Sequence, residues 1–307
     1  MNDTLNDFNA LSNGNDAFSD LVQMLILDVN IYHNAKVCGD WQINEHQLGA
    51  TCFHIATTGS CTLDVPDYFN GILECGDLVI FPHELTHSMR PNTPLSGKQQ
   101  HLAYSDALEK EGTGMLCGEV RFKHAGSRYL LDALPAVFII PAKQASSWIN
   151  ALLEMIMQES LSNSPAAKAI LDKLAELLFT YALRQYLVDY PDKVGVLAIY
   201  GNTRLAKALE AIHKHPEKAW TLESMAHEAM LSRTVFSETF KKVSGWTATE
   251  YLTWWRMQLA WSMLNKGKSV SEVADNVGYQ SIAAFSRAFK KSFNTTVGKV
   301  RRGEVNN

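Results

Sequence analysis

The sequence predicts an α+β protein in which a strand-rich N-terminal domain precedes an all-α C-terminal domain. Short segments rich in β-branched and aromatic residues fill the first 122 residues, whereas helical spacing of apolar residues prevails after residue 141. The charge also changes sign along the chain. Residues 1–199 carry 12 Lys and Arg against 23 Asp and Glu, a net −11, and residues 200–307 carry 16 against 9, a net +7. An acidic domain joined to a basic one is typical of a sensor fused to a domain that binds a polyanion.

The strand signal lies between residues 40 and 122. The segments 51–56 (TCFHIA), 61–65 (CTLDV) and 78–81 (LVIF) are separated by Gly, Pro, Asn or Asp, and such closely spaced strands indicate a sandwich or small barrel. Residues 142–160 and 165–190 then have a helical pattern. We expect the second of these helices to cover the barrel and to contribute to dimerisation through its apolar stripe, which consists of Leu171, Leu174, Leu178 and Tyr181.

Composition excludes several protein classes. No run approaches the roughly 18 apolar residues of a membrane span. The polar N-terminus lacks the order of a signal peptide, so we expect a cytoplasmic protein without membrane contact. The five cysteines are odd in number, irregularly spaced and without a CxxC pair, which argues against a disulfide scaffold or a cysteine zinc site.

An internal repeat occupies the basic domain. Residues 220–226 (WTLESMA) align with 268–274 (KSVSEVA), and each copy opens on a hydroxyl residue suited to cap a helix. Each is followed by a turn and a second helix, SRTVFSETFKK at 232–242 and SIAAFSRAFKK at 281–291, with two Phe four residues apart and a closing Lys pair. Two hairpins of a plain helical bundle are the alternative. Two copies on a net-positive domain favour two helix-turn-helix units.

The segment between the two copies, residues 248–264, is apolar and aromatic. As a helix of 17 residues it would be about 25 Å long. A rigid helix of that length could hold two recognition helices about one DNA turn, ~34 Å, apart. Its tryptophans are interpreted as core residues.

Residues 200–303 resemble the DNA-binding domain of the AraC/XylS family of bacterial regulators. The resemblance rests on 220–226, on Gly-x-x-Ala-x-x-Tyr-Leu at 245–252, on Arg-x-x-x-Ala at 256–260, on Val-Ala-x-x-x-Gly-Tyr at 273–279 and on FSRAFKK at 285–291. The chain departs from the family pattern at four positions. Met230 replaces a Gly of the first turn, Ala248 and Val297 replace prolines, and Val300 replaces a Tyr.

The resemblance implies which residues contact DNA. The side chains of Ile282 and Ala283 offer no hydrogen bonds, so the second recognition helix is expected to meet thymine methyl groups or to position the protein. The implied DNA-binding residues are Arg233, Thr234, Ser237, Glu238 and Lys241 in the first unit and Ile282, Ala283, Ser286, Arg287 and Lys290 in the second.

Residues 74–87 (ECGDLVIFPHELTH) resemble the Gly-Asp-strand-Pro-x-x-x-x-His element of cupin barrels. The segments 18–25, 39–41, 53–61, 117–122 and 133–135 are similar to the cupin domain of an AraC-type subgroup that includes regulators of reactive-chlorine resistance. His54, His83 and His87 are candidate metal ligands. The His-x-His of metal cupins is missing because residue 56 is Ala, so we expect neither a metal nor another cofactor.

Two thiols are candidates for an oxidant-responsive site. Cys117 lies in a family-like motif, and Cys38 lies in a Gly/Asp turn, where we expect it to be the more accessible of the two. A small molecule bound in the barrel is an equally open interpretation of the signal.

The sequence as a whole predicts four segments: a flexible N-terminus (1–17), a cupin-like sensor and dimerisation domain (18–190), a linker (191–202) and a double helix-turn-helix domain (203–303). It predicts a homodimeric, non-enzymatic transcription activator that binds operator DNA and RNA polymerase and responds to an oxidant or small molecule. A metal-dependent cupin enzyme fused to a DNA-binding domain, and a constitutive DNA binder with a structural barrel, are the alternatives.

Overall fold

The computed structural model describes residues 16–24, 27–44, 50–107, 109–122, 131–132, 134–145, 147–160, 162, 164–189 and 194–304. Most of the N-terminus predicted to be flexible (residues 1–15) and part of the predicted linker (191–193) lie outside these residues. The chain divides into two compact units. The sheet unit comprises Leu27–Phe122 and Leu134–Asp189, and the helical unit comprises the described residues of Met1–Ile26, Lys123–Ala133 and Tyr190–Asn307.

The described part of the sheet unit contains nine strands, and the three predicted strand segments are among them. β2 and β5 pair antiparallel, with His54 opposite Val79. The strands are β1 (Leu27–Cys38), β2 (Thr51–Thr58), β3 (Cys61–Val65), β4 (Phe69–Leu73), β5 (Leu78–Phe81), β6 (Ser88–Pro91), β7 (Gln100–Leu102), β8 (Gly112–Phe122) and β9 (Phe138–Ile140).

The strands form two antiparallel sheets. The larger has the order β7-β1-β8-β2-β5-β9 and the smaller the order β4-β3-β6. Their inner side chains share one core, in which Trp41, Leu63, Phe81 and Met115 are buried. The predicted α+β class is therefore confirmed, and within the described residues the barrel takes the form of two facing sheets rather than one closed sheet.

Among its described residues the sheet unit also has two α-helices, α2 (Ser147–Ser160) and α3 (Ala167–Asp189). Helix α3 packs on β1 and on α2. Two members of the predicted apolar stripe, Leu171 and Leu178, are buried, as the periodicity indicated.

The helical unit contains nine described helices, and one of them comes from the start of the chain. Helix α1 (Ala17–Met24) belongs to this unit although its residues precede β1. The short helix Ala198–Gly201 falls within the span predicted as a linker. The other helices are α4 (Ala198–Gly201), α5 (Thr203–Lys214), α6 (Leu222–Glu228), α7 (Arg233–Ser244), α8 (Ala248–Asn265), α9 (Val270–Asn276), α10 (Ile282–Phe293) and α11 (Val297–Arg301).

Local sequence determines where these helices begin. The side chains of Thr221 and Ser269, both predicted as caps, accept hydrogen bonds from the backbone N–H groups of Ser224 and Glu272. Thr247 forms a reciprocal capping box with Glu250 at the start of α8. A cap of this type stabilises a helix by about 1 kcal/mol.

The two helix-turn-helix turns differ in backbone chemistry. Gly278 has a φ of 73°, and a Cβ added there would lie 2.7 Å from the Glu217 carbonyl oxygen. The turn therefore requires glycine both for its backbone conformation and for lack of space. Met230 adopts a φ of 53° in the first turn and is 76% exposed. The left-handed region costs a residue with a Cβ about 1 kcal/mol.

We predict that Met230→Gly raises the free energy of unfolding of the helical unit by about 0.5–1 kcal/mol, because glycine adopts positive φ without that cost. Gly245→Ala is the matched reverse change, since Gly245 has a φ of 78° with no atom within 4 Å of an added Cβ, and it should destabilise the unit. Urea unfolding followed by tryptophan fluorescence measures both, because five of the seven Trp lie in residues 200–307. If Met230→Gly lowered the free energy of unfolding, the positive φ of Met230 would not be a source of strain.

Candidate nucleic-acid interface

Helix α7 is the recognition helix of the first helix-turn-helix unit. Ser232 caps it by accepting a hydrogen bond from Val235 N, and Gly245 ends it in the left-handed conformation. Phe236 and Phe240 are fully buried, with ring centroids 5.6 Å apart. Because residues four apart share one face of a helix, this pair fixes which side of α7 faces solvent.

Helix α10 repeats this construction in the second unit. Ser281 caps it through Ala284 N, and Asn294 ends it with a φ of 50°. Phe285 and Phe289 are fully buried, with ring centroids 5.8 Å apart. The internal repeat of the sequence is thus a repeat of structure.

The residues predicted to contact DNA lie on the outer sides of these two helices. Ser237 and Ser286, which directly follow the first Phe of each pair, are half-buried. Arg233, Thr234, Glu238 and Lys241 are exposed on α7, and Ile282, Ala283, Arg287 and Lys290 are exposed on α10. The fold therefore groups each predicted set on one helix surface.

Helix α8 connects the two units and packs against both. Tyr251 packs against Phe240 of the first unit at 5.8 Å, and Trp261 stacks on Phe289 of the second at 5.8 Å. The helix has 18 residues, one more than predicted, and is therefore about 27 Å long. As predicted, Trp254, Trp255 and Trp261 are buried in the core.

Arg256 of α8 holds the loop that precedes the first unit. Its Nε donates to the Pro216 carbonyl and its Nη2 donates to the Lys218 carbonyl, each at 2.8 Å. Burial lowers the pKa of Arg256, which nevertheless remains charged because the usual value is far above neutrality. This clamp gives a structural role to the Arg-x-x-x-Ala motif.

Comparison with known proteins agrees with this geometry. Residues 16–188 match a cupin family model, and residues 225–303 match a helix-turn-helix domain model. The transcriptional regulator AlkR of Acinetobacter baylyi is 30% identical over 91% of this chain and 96% of its own. The chain is an AraC-family transcriptional regulator with an N-terminal cupin domain.

Two further similarities accompany this assignment. The RCS-specific transcriptional activator RclR of Escherichia coli is 28% identical to the regulator over 93% of this chain and 97% of its own. The solved structure of apo ToxT from Vibrio cholerae is 12% identical, covers 90% of this chain and 96% of that one, and has a TM-score of 0.35. No helix in the described part of the regulator is long and apolar enough to cross a membrane.

Both thiols predicted to respond to oxidants lie in the sheet unit, and both are buried. Cys117 is 3% exposed in the middle of β8, opposite His54 of β2, and burial raises the pKa of its thiol. Cys38 is 5% exposed and so only marginally the more accessible of the two, but it lines a surface pocket of about 410 Å³ with Lys98 and Lys110. Cys75 of this domain is exposed, although no sequence motif indicated it as a candidate.

The structure brings two of the three candidate metal-binding histidines together. The rings of His54 and His87 are buried with centroids 5.2 Å apart, whereas His83 is half-buried. Nδ1 of His87 donates to the Leu85 carbonyl at 2.8 Å. Among the described residues no group of three or more His, Cys, Asp or Glu side chains is placed to hold a metal ion.

A buried acid in the same region escaped the sequence prediction. Glu84 is buried beside Cys52, where it adds to the effect of burial in raising the pKa of that thiol. Its position between His83 and His87 in the cupin motif was the available signal.

We predict that Arg233→Ala weakens binding to promoter DNA recovered from the cell by immunoprecipitation of the regulator. The loss should be about 1–3 kcal/mol if Arg233 contacts a base edge, with little change in binding to unrelated DNA. Lys290→Ala is the matched phosphate-contact variant, and it should weaken both DNAs alike and reduce the salt slope by about 1. Electrophoretic mobility shifts at several salt concentrations measure both effects, and equal losses on both DNAs for Arg233→Ala would mean that Arg233 contacts only phosphate.

Proposed function

We propose that the regulator activates transcription from sequence-specific sites, with a signal received in the cupin domain and RNA polymerase as its protein partner at the promoter. The observation that carries this proposal is the presence of two capped helix-turn-helix units within residues 200–307, which have a net charge of +7. The name of RclR, an RCS-specific activator similar over nearly the whole chain, supports the sign of regulation and an oxidant signal. A protein acting on the chromosome belongs in the cytoplasm.

The structure favours Cys38 over Cys117 as the first thiol to react. Cys38 lines a surface pocket together with Lys98, Lys110 and Glu111, so an oxidant in that pocket would lie beside its side chain. Cys117 lies within the core, where burial favours the neutral and less reactive thiol. Hypochlorous acid would transfer its oxygen to Cys38, forming a sulfenic acid and releasing chloride and a proton.

The space around Cys38 explains how such a change would affect the fold. A Cβ built on Gly112 of β8 would lie only 2.8 Å from Cys38 Sγ, so the sulfur already sits against the opposing backbone. An oxygen added to that sulfur would separate the ends of β1 and β8. A small molecule occupying the same pocket would act on the same strand ends.

We infer that the cupin domain senses rather than catalyses, because the curated relatives that match nearly the whole chain are transcriptional regulators. Bound iron, nickel or manganese in the purified protein would favour the enzyme alternative. An operator affinity that no oxidant or metabolite changes would favour the constitutive binder.

We further propose that the regulator forms a homodimer through the outer face of α2 and α3. These helices pack against each other and leave Trp148 (64% exposed), Met155, Ile170 and Leu177 in solvent. The two residues on each helix are seven apart and so lie on one side of it, and exposed apolar residues of this size are typical of a protein interface. A second copy is the occupant we favour, because isologous contacts are the commonest way to bury such a face. Part of the predicted stripe, Leu171 and Leu178, instead packs inside the unit.

We expect Trp148→Asp to shift the regulator from dimer toward monomer in sedimentation velocity, because it places a charge in the apolar face. Tyr68→Asp is the control, since Tyr68 is exposed to a similar degree (60%) but lies in the β3–β4 turn. A dimer unaffected by Trp148→Asp would rule out this face.

We expect Cys38→Ser to abolish most of the response of an operator-driven reporter to sublethal hypochlorous acid, because serine cannot undergo the oxidation. Cys117→Ser should retain a larger part of the response, and Cys75→Ser, which changes the exposed thiol, should respond as wild type does. A full response from both Cys38→Ser and Cys117→Ser would exclude both thiols and favour a ligand.

Deletion of the regulator tests the sign of regulation separately. If the regulator is an activator, its deletion should lower the activity of the reporter.

A further inference from the structure

The two recognition helices carry opposite charges at one equivalent position of the repeat. Residues 232–242 (SRTVFSETFKK) align with 281–291 (SIAAFSRAFKK), so Glu238 of α7 corresponds to Arg287 of α10. Both side chains are exposed. A carboxylate on a recognition helix is repelled by the phosphates of DNA. Glu238 therefore weakens binding to DNA in general, unless a contact with a base offsets the repulsion.

The position of Glu238 on α7 directs it away from the core of the unit. Glu238 lies two residues from Phe236 and two from Phe240, both of which are fully buried. Because successive residues of an α-helix are rotated by about 100°, two residues correspond to about 200°. Glu238 is thus on the side of α7 opposite the buried pair, and Arg287 has the same relation to the buried pair of α10. Each repeat places one charged residue at the outermost position of its recognition helix.

The carboxylate of Glu238 has no structural task of the kind that other acids of the helical unit have. Glu250 completes the capping box of α8, and Glu272 forms an ion pair with Lys268 at 2.6 Å. Within the described residues, no hydrogen bond or ion pair involves the Glu238 carboxylate. This carboxylate is therefore available to a partner outside the chain.

The chemistry of the major groove limits which base can bind a carboxylate. An ionised carboxylate only accepts hydrogen bonds, whereas guanine presents the acceptors N7 and O6, and thymine presents the acceptor O4. Adenine has an amino group, but its acceptor N7 lies beside it. Cytosine presents a donor, its 4-amino group, without a neighbouring acceptor. The arginine at the equivalent position of α10 is suited instead to guanine.

We propose that Glu238 is a specificity-determining residue, which accepts a hydrogen bond from the 4-amino group of one cytosine among the base pairs met by α7. Elsewhere on DNA the same carboxylate meets only repulsion, so it lowers the affinity for wrong sequences and widens the difference between the operator and other DNA. This inference rests on the proposed function, in which α7 enters the major groove of specific sites.

Mobility shifts with the full-length regulator and DNA recovered by its immunoprecipitation test this proposal, once footprinting has located the site and each base pair of it has been replaced in turn. In the wild type, replacing one C·G pair should weaken binding roughly 5-fold or more, the lower end of the usual cost of a wrong base pair. Glu238→Ala should abolish that preference and bind unrelated DNA more tightly, because the repulsion is removed. Glu238→Arg copies the residue of α10 and should shift the preference at that base pair from C·G to G·C.

Glu223→Ala is the matched control, because Glu223 is an exposed acid of α6 in the same helix-turn-helix unit. It removes the same charge and should leave the preference at every base pair unchanged.

The outcomes separate this proposal from the DNA-binding function. If the regulator binds no site more tightly than unrelated DNA, the proposed function itself fails and this inference with it. If specific sites are bound but Glu238→Ala retains every base preference, Glu238 does not contact a base. A preference that Glu238→Ala loses at a base pair other than C·G would overturn the assignment to cytosine. Equal tightening of Glu238→Ala on the operator and on unrelated DNA would leave Glu238 with repulsion alone.

Discussion

The burial of helix α8 is the constraint on which the DNA-binding unit depends. Ten of its 18 residues are buried, a share that is stable only where other helices cover most of its surface. Phe240 of the first unit packs on Tyr251 of α8, and Phe289 of the second unit stacks on Trp261 of α8. Neither unit can bury its phenylalanine pair without α8. The separation of the two recognition helices is therefore set by one rigid element of about 27 Å.

The recognition helices share a core, but the residues at their own ends determine where each helix begins and stops. Each begins at a serine cap and ends at a left-handed residue, Gly245 or Asn294, so its length is set locally. Its rotation about its own axis is set by burial of two phenylalanines. Local capping and non-local burial together leave one polar surface per helix free to meet DNA.

Both thiols proposed to respond to oxidants lie on paired strands of the sheet unit, and Cys38 also lines the surface pocket. Cys117 lies opposite His54 on one neighbouring strand and His33 on the other, so a change at its sulfur is felt by β1, β8 and β2 together. Cys38 abuts the backbone of Gly112 at the far end of β1. Under the proposed oxidation, close packing would convert a small chemical change into strand displacement, because a packed interior has no free volume to absorb it.

Sequence alone determined the features that depend on neighbouring residues. Short-range sequence patterns predicted the helix caps at Thr221 and Ser269, the phenylalanine pairs and the three strand segments. The structure contains all of them. The outward placement of Arg233 and Arg287 follows from the same periodicity. Tertiary structure decided the features that depend on residues far apart in the chain. In the sheet unit these are the division of the strands into two sheets and the burial of Cys38. In the helical unit they are the hydrogen bonds of Arg256 to the backbone of residues 216 and 218, and the hydrogen bond between Asp20 of α1 and His213. Sequence patterns record which face of an element is apolar, whereas the partner of that face is chosen by packing among all the elements at once.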